Sequence, residues 1–218
     1  MFRKALLAVA LLFVSGGLAV AQDHRVEIAG TAGWTFSDGV SGNAYTVPGV
    51  GTFNRIDPKD AFSWGLRLGF MVSENVVVGG LFNLQSTSLE AGGTNTLTIG
   101  DDKIYNYHGF IEYQFGDEHS KARPYFLGGL GATQYGGLTT PSGHNLSGDT
   151  QFSTTWALGV KIYPGKNAGI LLEGRWTPTY IKSDSEGWWC DPYWGCYVVG
   201  NAQYSNQFEL AGGITLRF

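Results

Sequence analysis

The sequence predicts an all-β fold: a closed antiparallel up-and-down transmembrane β-barrel of about eight strands, after a cleaved signal peptide. Three observations lead to it. The last residues before Phe218 alternate between apolar side chains and polar or small ones. Glycine contributes 33 of 218 residues, aromatic residues 14% and charged residues only 15%. After Ala21, no apolar stretch approaches the roughly 20 residues that a membrane helix requires.

The first residues have the features of a secretory signal peptide. Arg3 and Lys4 form a positive start, and the apolar run that follows them ends at Val14 and is too short to cross a bilayer. A small-x-small cleavage motif ends at Ala21. We therefore expect residues 1–21 to be the signal peptide and residues 22–218 to form a single barrel domain.

Eight segments show the two-residue period of strands that face lipid on one side. They lie approximately at His24–Phe36, Ala61–Met71, Asn75–Thr87, Asp102–Phe115, Arg123–Tyr135, Gln151–Tyr163, Ala168–Lys182 and Gln207–Phe218.

The first four predicted strands each carry large apolar residues on one face. Trp34 belongs to the apolar face of the first, Trp64 to that of the second, Phe82 to that of the third and Ile111 to that of the fourth. Polar or small residues mostly occupy the alternate positions, so these faces are expected to line a narrow lumen.

Among the last four strands, the sixth, seventh and eighth orient themselves by the same alternation. Trp156, Trp176 and Phe208 lie on their apolar faces. The fifth is ambiguous because residues 123–129 are apolar on both faces. A soluble lipocalin-type barrel is the structural alternative, but the polar face of the sixth strand consists mainly of small residues that suit a narrow lumen better than a solvent surface.

These features together resemble the small, eight-stranded outer-membrane β-barrel superfamily, which includes the transmembrane domain of outer-membrane protein A and related surface barrels. The resemblance rests on the signal peptide, the eight alternating strands, the Arg123-Pro124-Tyr125 opening of the fifth strand and the ending at residues 212–218. It implies that the terminal Phe218 is an assembly signal read by the barrel assembly machinery. It also implies a location in the cell outer membrane of Gram-negative bacteria. Because the chain stops at Phe218, we expect no peptidoglycan-binding domain after the barrel.

The predicted connections alternate between long and short. The long ones are Ser37–Asp60, Ser88–Asp101, Gly137–Thr150 and Ser183–Ala202. In bacterial barrels the short turns are periplasmic and the long loops extracellular. We therefore expect both termini to lie in the periplasm and four loops to lie outside the cell.

Charged residues on the predicted inner faces form the first candidate site. They are Arg67, Glu112, Lys161, Glu173, Arg175, Glu209 and Arg217. An eight-stranded barrel is only wide enough for its own side chains, and buried charges must be paired. The pattern predicts a salt-bridged plug; the alternative is a small-molecule or ion conduit through a gated narrow lumen.

An aromatic loop before the last strand forms the second candidate site. Its aromatic residues are Trp188, Trp189, Tyr193, Trp194 and Tyr197. They surround Cys190 and Cys196, which we expect to form a disulfide because an exported chain meets an oxidising compartment. Such a loop closure contributes about 2 kcal/mol in the chain-entropy description. The loop is either a preorganised surface for a glycan, lipopolysaccharide or host protein, or a structural cover and interfacial anchor.

We therefore expect an integral outer-membrane protein with a structural or adhesin-like role, binding through its extracellular loops. The expected partners are outer-membrane lipid, lipopolysaccharide and the barrel assembly machinery, with a glycan or host-surface ligand as a further candidate, and we expect the chain to be a monomer. The sequence has no basic stripe of the kind that binds nucleic acid. Its two thiols have no His nearby, so we expect neither a metal nor a cofactor. A lipid A-modifying enzyme is a remote alternative: His144, Ser142, Ser147 and Asp149 have no diagnostic spacing, so we expect no enzyme.

Overall fold

The computed structural model describes residues 26–47, 51–117, 120–139, 145–146, 148–165, 167–181, 190–191, 195–196 and 203–218. Within these ranges the chain forms fourteen strands. In order they are β1 (Val26–Ser37), β2 (Val40–Val47), β3 (Gly51–Pro58), β4 (Ala61–Met71), β5 (Val76–Gly93), β6 (Thr96–Gln114), β7 (Ala122–Tyr135), β8 (Leu138–Thr139), β9 (Asn145–Leu146), β10 (Asp149–Ile162), β11 (Ala168–Ile181), β12 (Cys190–Asp191), β13 (Gly195–Cys196) and β14 (Gln203–Arg217). Among the described residues, no helix has the length and hydropathy to span a bilayer.

Eight of these strands close into an antiparallel barrel, which confirms the predicted fold class. The order around the barrel is β1, β4, β5, β6, β7, β10, β11 and β14, and β14 pairs back onto β1. At the closing seam, the Val26 amide donates to the Phe218 carbonyl at 3.1 Å, and the Phe218 amide donates to the Val26 carbonyl at 2.9 Å. Closure removes unpaired strand edges, which hydrocarbon does not tolerate.

The two faces of the barrel differ as the alternation predicts. Large apolar residues are exposed on the outside, for example Phe62, Leu158 and Ile214, while polar and charged residues are buried inside. The fifth predicted strand, β7, is now oriented: Tyr125 and Leu127 are buried in the lumen and Phe126 is exposed. Periodicity could not orient this strand because both of its faces are apolar. With Tyr125 facing inward, its hydroxyl donates to a buried acceptor in the lumen.

Two connections that the sequence predicts as loops are largely strands. Most of Ser37–Asp60 forms the β2–β3 hairpin, and β3 pairs with the far end of β5. Most of Ser88–Asp101 continues β5 and β6 beyond their predicted ends. Strand pairing supplies the reason: the prolonged β5 offers an edge to β3, and local periodicity does not report a partner so far away in the chain.

These extensions give the barrel two unlike ends. At one end, the connections after β4, β6 and β10 are short, and Gly116 turns the chain with a φ of 91°, a conformation that favours glycine. We call this the turn end and the opposite one the loop end. At the loop end, β2, β3 and the far halves of β5 and β6 form a sheet that projects beyond the apolar belt, here called the tower.

Candidate functional site

The lumen is the candidate site that the structure describes most completely. From the turn end to the loop end it has three levels, which we call the ionic level, the hydrogen-bonded level and the apolar mouth. At each level, side chains from different strands meet across the lumen and are buried.

The ionic level brings together all seven charged residues named from the sequence. Arg67 pairs with Glu173 and lies 3.9 Å from Glu112, and Lys161 pairs with Glu112. Arg175 pairs with Glu209. Because the partners come from different strands, these pairs tie the walls of the barrel to one another.

A tyrosine lies at the centre of this level. The Tyr125 hydroxyl donates to Glu173 Oε2 at 2.6 Å. The Lys161 ammonium lies 5.0 Å from the centre of the Tyr125 ring and the Arg67 guanidinium 5.9 Å, both within cation–π range. Gly159 leaves room for the ring, since a Cβ there would lie 2.6 Å from Tyr125. Tyr125 therefore fills the space between the ion pairs.

Glu27 is a member of this level that was not named among the candidate charges. Its carboxylate accepts from Lys161 and, at 3.2 Å, from Arg217 Nε. Arg217 also stacks over the ring of Tyr163, with 3.7 Å from its central carbon to the ring centre. The alternation of the first strand already places Glu27 on the polar face, and its partners became apparent only with the register.

The Arg175–Glu209 pair connects the ionic level to neutral polar groups. Ser63 Oγ donates to Glu209 Oε1 at 2.8 Å, and Thr35 Oγ1 donates to Ser63 Oγ at 2.9 Å. Glu209 therefore has several partners and is not left as an isolated buried charge.

The hydrogen-bonded level is a chain of neutral side chains that crosses the lumen. Gln207 Nε2 donates to Gln85 Oε1 at 3.0 Å, and Asn106 Nδ2 donates to Gln207 Oε1 at 2.9 Å. Thr133 Oγ1 continues it, lying 2.7 Å from Asn106 Oδ1 and 3.0 Å from Ser153 Oγ. His108 Nε2 ends it at 2.9 Å from Ser153 Oγ.

The apolar mouth closes the lumen at the loop end. It consists of Val40, Ile56, Leu89, Ile104, Tyr135 and Ile181. Four of these belong to barrel strands and point inward, while Val40 and Ile56 come from β2 and β3. The tower hairpin therefore supplies part of the cover, an arrangement that the sequence prediction missed because it treated these residues as a loop.

An arginine clamp on the outer side fixes this hairpin. Arg55 Nε donates to both carboxylate oxygens of Asp57, at 2.6 and 2.7 Å, and Arg55 also pairs with Asp38. The hydrogen bond to Asp57 raises the pKa of Arg55 above its ordinary value, against the opposing effect of burial. The clamp joins the chain before β2 to β3.

The aromatic loop lies mostly outside the described residues, namely Trp188, Trp189, Tyr193, Trp194 and Tyr197. The backbones of Cys190 and Cys196 are described, and they are directly opposite each other in the β12–β13 ladder. Cross-strand neighbours of this kind are close enough for a disulfide, so the register is compatible with the predicted bridge. The bridge and the binding role of the loop remain predictions.

Two grooves occur on the outer wall near the loop end. The first, here called the rim groove, has a volume of about 590 Å³ and its lining includes Lys59, Ser86, Ser88, Asp101, Lys103 and Tyr105. The second, the far groove, has a volume of about 600 Å³ and its lining includes Phe152, Trp156, Trp176, Pro178, Tyr180 and Tyr204. The first is charged and the second is aromatic.

The described residues include one of the four side chains considered for lipid A chemistry. Within them, no three His, Cys, Asp or Glu side chains come together as metal ligands would. Of the residues proposed for lipid A chemistry, His144, Ser142 and Ser147 lie outside the described ranges. Asp149 is described, and its carboxylate accepts from Gln151 Nε2 at 2.6 Å.

Comparison with known proteins gives a family and a fold. Residues 5–211 match the family model described as the outer membrane protein beta-barrel domain. No curated protein matches at a significant level.

Several solved structures share the fold at low sequence identity. OprG from Pseudomonas aeruginosa has a TM-score of 0.60 at 14% identity, with 89% of this chain and 96% of that one covered. The N-terminal β-barrel domain of P. aeruginosa OprF has a TM-score of 0.50 at 12% identity, covering 90% of this chain and 100% of that one. Neisserial surface protein A has a TM-score of 0.50 at 16% identity, covering 88% and 96%.

Proposed function

Because the chain belongs to the outer membrane protein β-barrel family, we propose that it is a closed outer-membrane scaffold whose loop end binds a partner at the cell surface, an adhesin-like role. The turn end and both termini then lie in the periplasm, and the tower lies outside the cell. The apolar mouth is the observation on which the proposal depends most.

The mouth supports this proposal because the same side chains close the lumen and hold the tower in place on the barrel. Val40 and Ile56 are buried against inward residues of the barrel strands, so the β2–β3 hairpin is anchored on the barrel. A fixed surface binds with a smaller loss of conformational entropy than a free loop does. Closure and a rigid outer surface are therefore two consequences of one contact.

The length of the tower also favours a role outside the membrane. A transmembrane strand needs about 9–11 residues. β5 has 18 residues and β6 has 19, so both continue well past the hydrocarbon region. Crossing the bilayer does not require strands of this length or the addition of β2 and β3 beside them. The additional residues therefore favour a surface with a role outside the membrane.

The conduit alternative requires all three levels of the lumen to open. Opening the ionic level would separate buried pairs such as Arg67–Glu173, at a cost of several kcal/mol for each uncompensated charge. Opening the mouth would also expose apolar side chains that are now buried. We therefore propose that the lumen does not conduct.

The aromatic loop is the second part of the proposed binding surface, on sequence evidence. Trp188, Trp189, Tyr193, Trp194 and Tyr197 belong to the residue types that contribute most to interface energetics. A Cys190–Cys196 bridge would hold them in one arrangement and so reduce the entropy lost on binding. We propose a glycan or a host-surface protein as the ligand.

The test is a binding screen of the purified barrel against glycans and matrix proteins, with and without reductant. Reduction should weaken binding without unfolding the barrel, because the bridge constrains one loop. Trp194→Ala should weaken binding about tenfold or more, as a central aromatic contact would. Asp184→Asn, in the same loop, is the matched control and should have little effect. Absence of binding in either redox state would leave a purely structural role.

A further inference from the structure

We infer that the outer edge of β6 in the tower pairs with the same edge of a second copy of this chain in an opposing membrane, which joins the two towers into one antiparallel sheet. The segment concerned, residues 96–100, is here called the tower edge. The inference deepens the proposed function by naming a partner for the loop end, and it rests on that function only in placing the tower outside the cell. Three features support it: an unpaired backbone edge, an exposed leucine on that edge and the self-complementary order of its side chains.

The tower edge has a neighbouring strand on one side only. β6 pairs with β5 along the tower, but it pairs with β7 only from Ile104 onwards. The Gly136 amide donates to the Lys103 carbonyl at 2.9 Å, and beyond this bond β7 diverges from β6. Within the described ranges, β5 is the only ladder partner of residues 96–100, and β8 comes near β6 without joining its ladder. A row of unpaired N–H and C=O groups of this kind is a template for another strand.

The side chains of the tower edge do not prevent such pairing. Residues 96–100 contain no proline and no charged residue, which are the usual means of protecting an edge strand. The opposite edge of the tower, on β2, is less suitable because three residues between Ser41 and Tyr45 face a single residue of β3. On β6 the irregularity is smaller: Ile99 has no partner on β5, which leaves residues 96–98 as a regular run.

Leu97 is an apolar side chain of the tower edge that the rest of the chain leaves exposed. Its exposed fraction is 46%, and among the tower side chains that the structure describes no other large hydrophobic one is so exposed. The Tyr105 ring lies 6.4 Å from that of Phe82, in the aromatic girdle that marks the boundary of the hydrocarbon region. Leu97 is eight residues beyond Tyr105 along β6, so lipid does not cover it. Burial of Leu97 therefore requires a protein partner.

An antiparallel pair of tower edges centred on Leu97 is self-complementary. Leu97 of each copy then faces Leu97 of the other, and Thr96 faces Thr98. Opposed leucines bury apolar area, and opposed threonines can hydrogen-bond across the strands. Asp101, the nearest charged residue of β6, is four residues from the centre. The two Asp101 carboxylates are therefore about 25 Å apart along the strands and do not repel each other appreciably.

The two-fold symmetry of this pair determines how the two membranes are oriented. The axis is perpendicular to the sheet and lies in the membrane plane, so it turns one membrane over relative to the other. Two copies in one membrane have β6 strands that run in the same direction, so they cannot form the antiparallel pair. From Leu97 to Tyr105 the strand covers about 26 Å, which a tilt of about 40° reduces to about 20 Å of height. The hydrocarbon surfaces of the two membranes should therefore lie about 40 Å apart.

The test uses the full folded barrel in phosphatidylcholine vesicles with no other protein present. Vesicles that carry the wild-type protein should cluster, and dynamic light scattering should report an increase in particle size that protein-free vesicles do not show. Many weak contacts between two vesicles act together, so a short edge is sufficient for clustering. Electron cryomicroscopy of the contacts should show hydrocarbon surfaces about 40 Å apart.

Charge substitutions at Leu97 distinguish self-pairing from other causes of clustering. Vesicles that carry only Leu97→Lys, or only Leu97→Glu, should cluster about tenfold less than the wild type, because like charges then face each other at the two-fold axis. A mixture of the two vesicle populations should recover clustering, since opposite charges then face each other. This recovery excludes misfolding as the reason for either loss. Asn54→Lys and Asn54→Glu, at an exposed position of β3, are the matched controls and should cluster like the wild type.

Several outcomes would overturn the inference. They are wild-type vesicles that stay separate, a mixture that clusters no better than its two components, and equal losses from the Asn54 variants. Clustering that requires an added soluble protein would assign the tower edge to a different partner and would overturn the inference as well. Because the assay contains neither glycans nor matrix proteins, its failure would not bear on the binding proposed for the aromatic loop.

Discussion

At the turn end of the lumen, buried ion pairs join opposite walls, whereas at the loop end apolar side chains meet beneath a hairpin. The charged residues of the ionic level, such as Lys161 and Glu173, lie on barrel strands. The mouth instead depends on Val40 and Ile56, which belong to the tower. One end is closed by the barrel itself and the other by a segment added to it.

This difference separates two roles for buried side chains. Ion pairs in a low-dielectric interior add little net stability, because desolvation offsets their attraction, but breaking one leaves a costly unpaired charge. We therefore expect them to favour one register between strands over the alternatives. Apolar burial stabilises roughly in proportion to the area removed from water. The mouth thus contributes stability to the tower, while the ionic level specifies the arrangement of the barrel.

The largest expected effect comes from breaking the ionic level. Glu173→Ala should lower the free energy of unfolding by about 3–5 kcal/mol, because Arg67 loses its partner and Tyr125 loses its acceptor. Urea unfolding of the barrel in lipid vesicles measures this. Combining Glu173→Ala with Arg67→Met should recover part of the loss, since no charge is then left unpaired. A single variant as stable as the wild type would contradict the role given to the pair.

A smaller effect is expected at the mouth. Ile56→Ala should cost about 2–3 kcal/mol through lost burial and a cavity. The loss should be local: amide hydrogen exchange should accelerate in β2 and β3 and remain unchanged near Arg67 and Lys161. Asn54→Ala, at an exposed position of the same strand, is the control. Faster exchange throughout the barrel would show that the two ends are not independent.

The smallest effect is expected for the arginine clamp. Arg55→Ala should cost less than about 1 kcal/mol, because Arg55 and Asp38 are substantially exposed. Salt should reproduce part of this loss in the wild type, since exposed pairs are screened. Hydrogen exchange of β2 and β3 at low and high salt measures both. A salt response as large in the variant as in the wild type would argue against the clamp.

The sequence predicted which charged residues of the ionic level face the lumen, but it did not predict the apolar mouth. Alternation placed Arg67, Glu112 and Glu173 inside because each lies on a strand whose opposite face is strongly apolar. It could not show which charges would pair, since pairing depends on register across strands that are distant in the chain. Arg67 and Glu173, for example, are 106 residues apart.

The mouth and the rim groove escaped prediction for the same physical reason. Val40 and Ile56 become core residues only when β3 pairs with β5. The residues of their own segment do not indicate that the edge of β5 is available for pairing. Lys59 and Lys103 occur in segments predicted to be a loop and a strand end, and the barrel brings them to one groove. The aromatic loop shows the opposite case, because its composition predicts a role while its aromatic residues lie outside the described part of the chain.

Closure at both ends is the central claim, and single-channel recording in planar bilayers tests it most directly. The folded protein should first be verified by its slower migration after heating, a property of stable outer-membrane barrels. We expect no regular conductance steps, because the ionic level remains closed even when the mouth fluctuates. Large, uniform steps from the wild-type barrel would contradict the claim and favour a conduit.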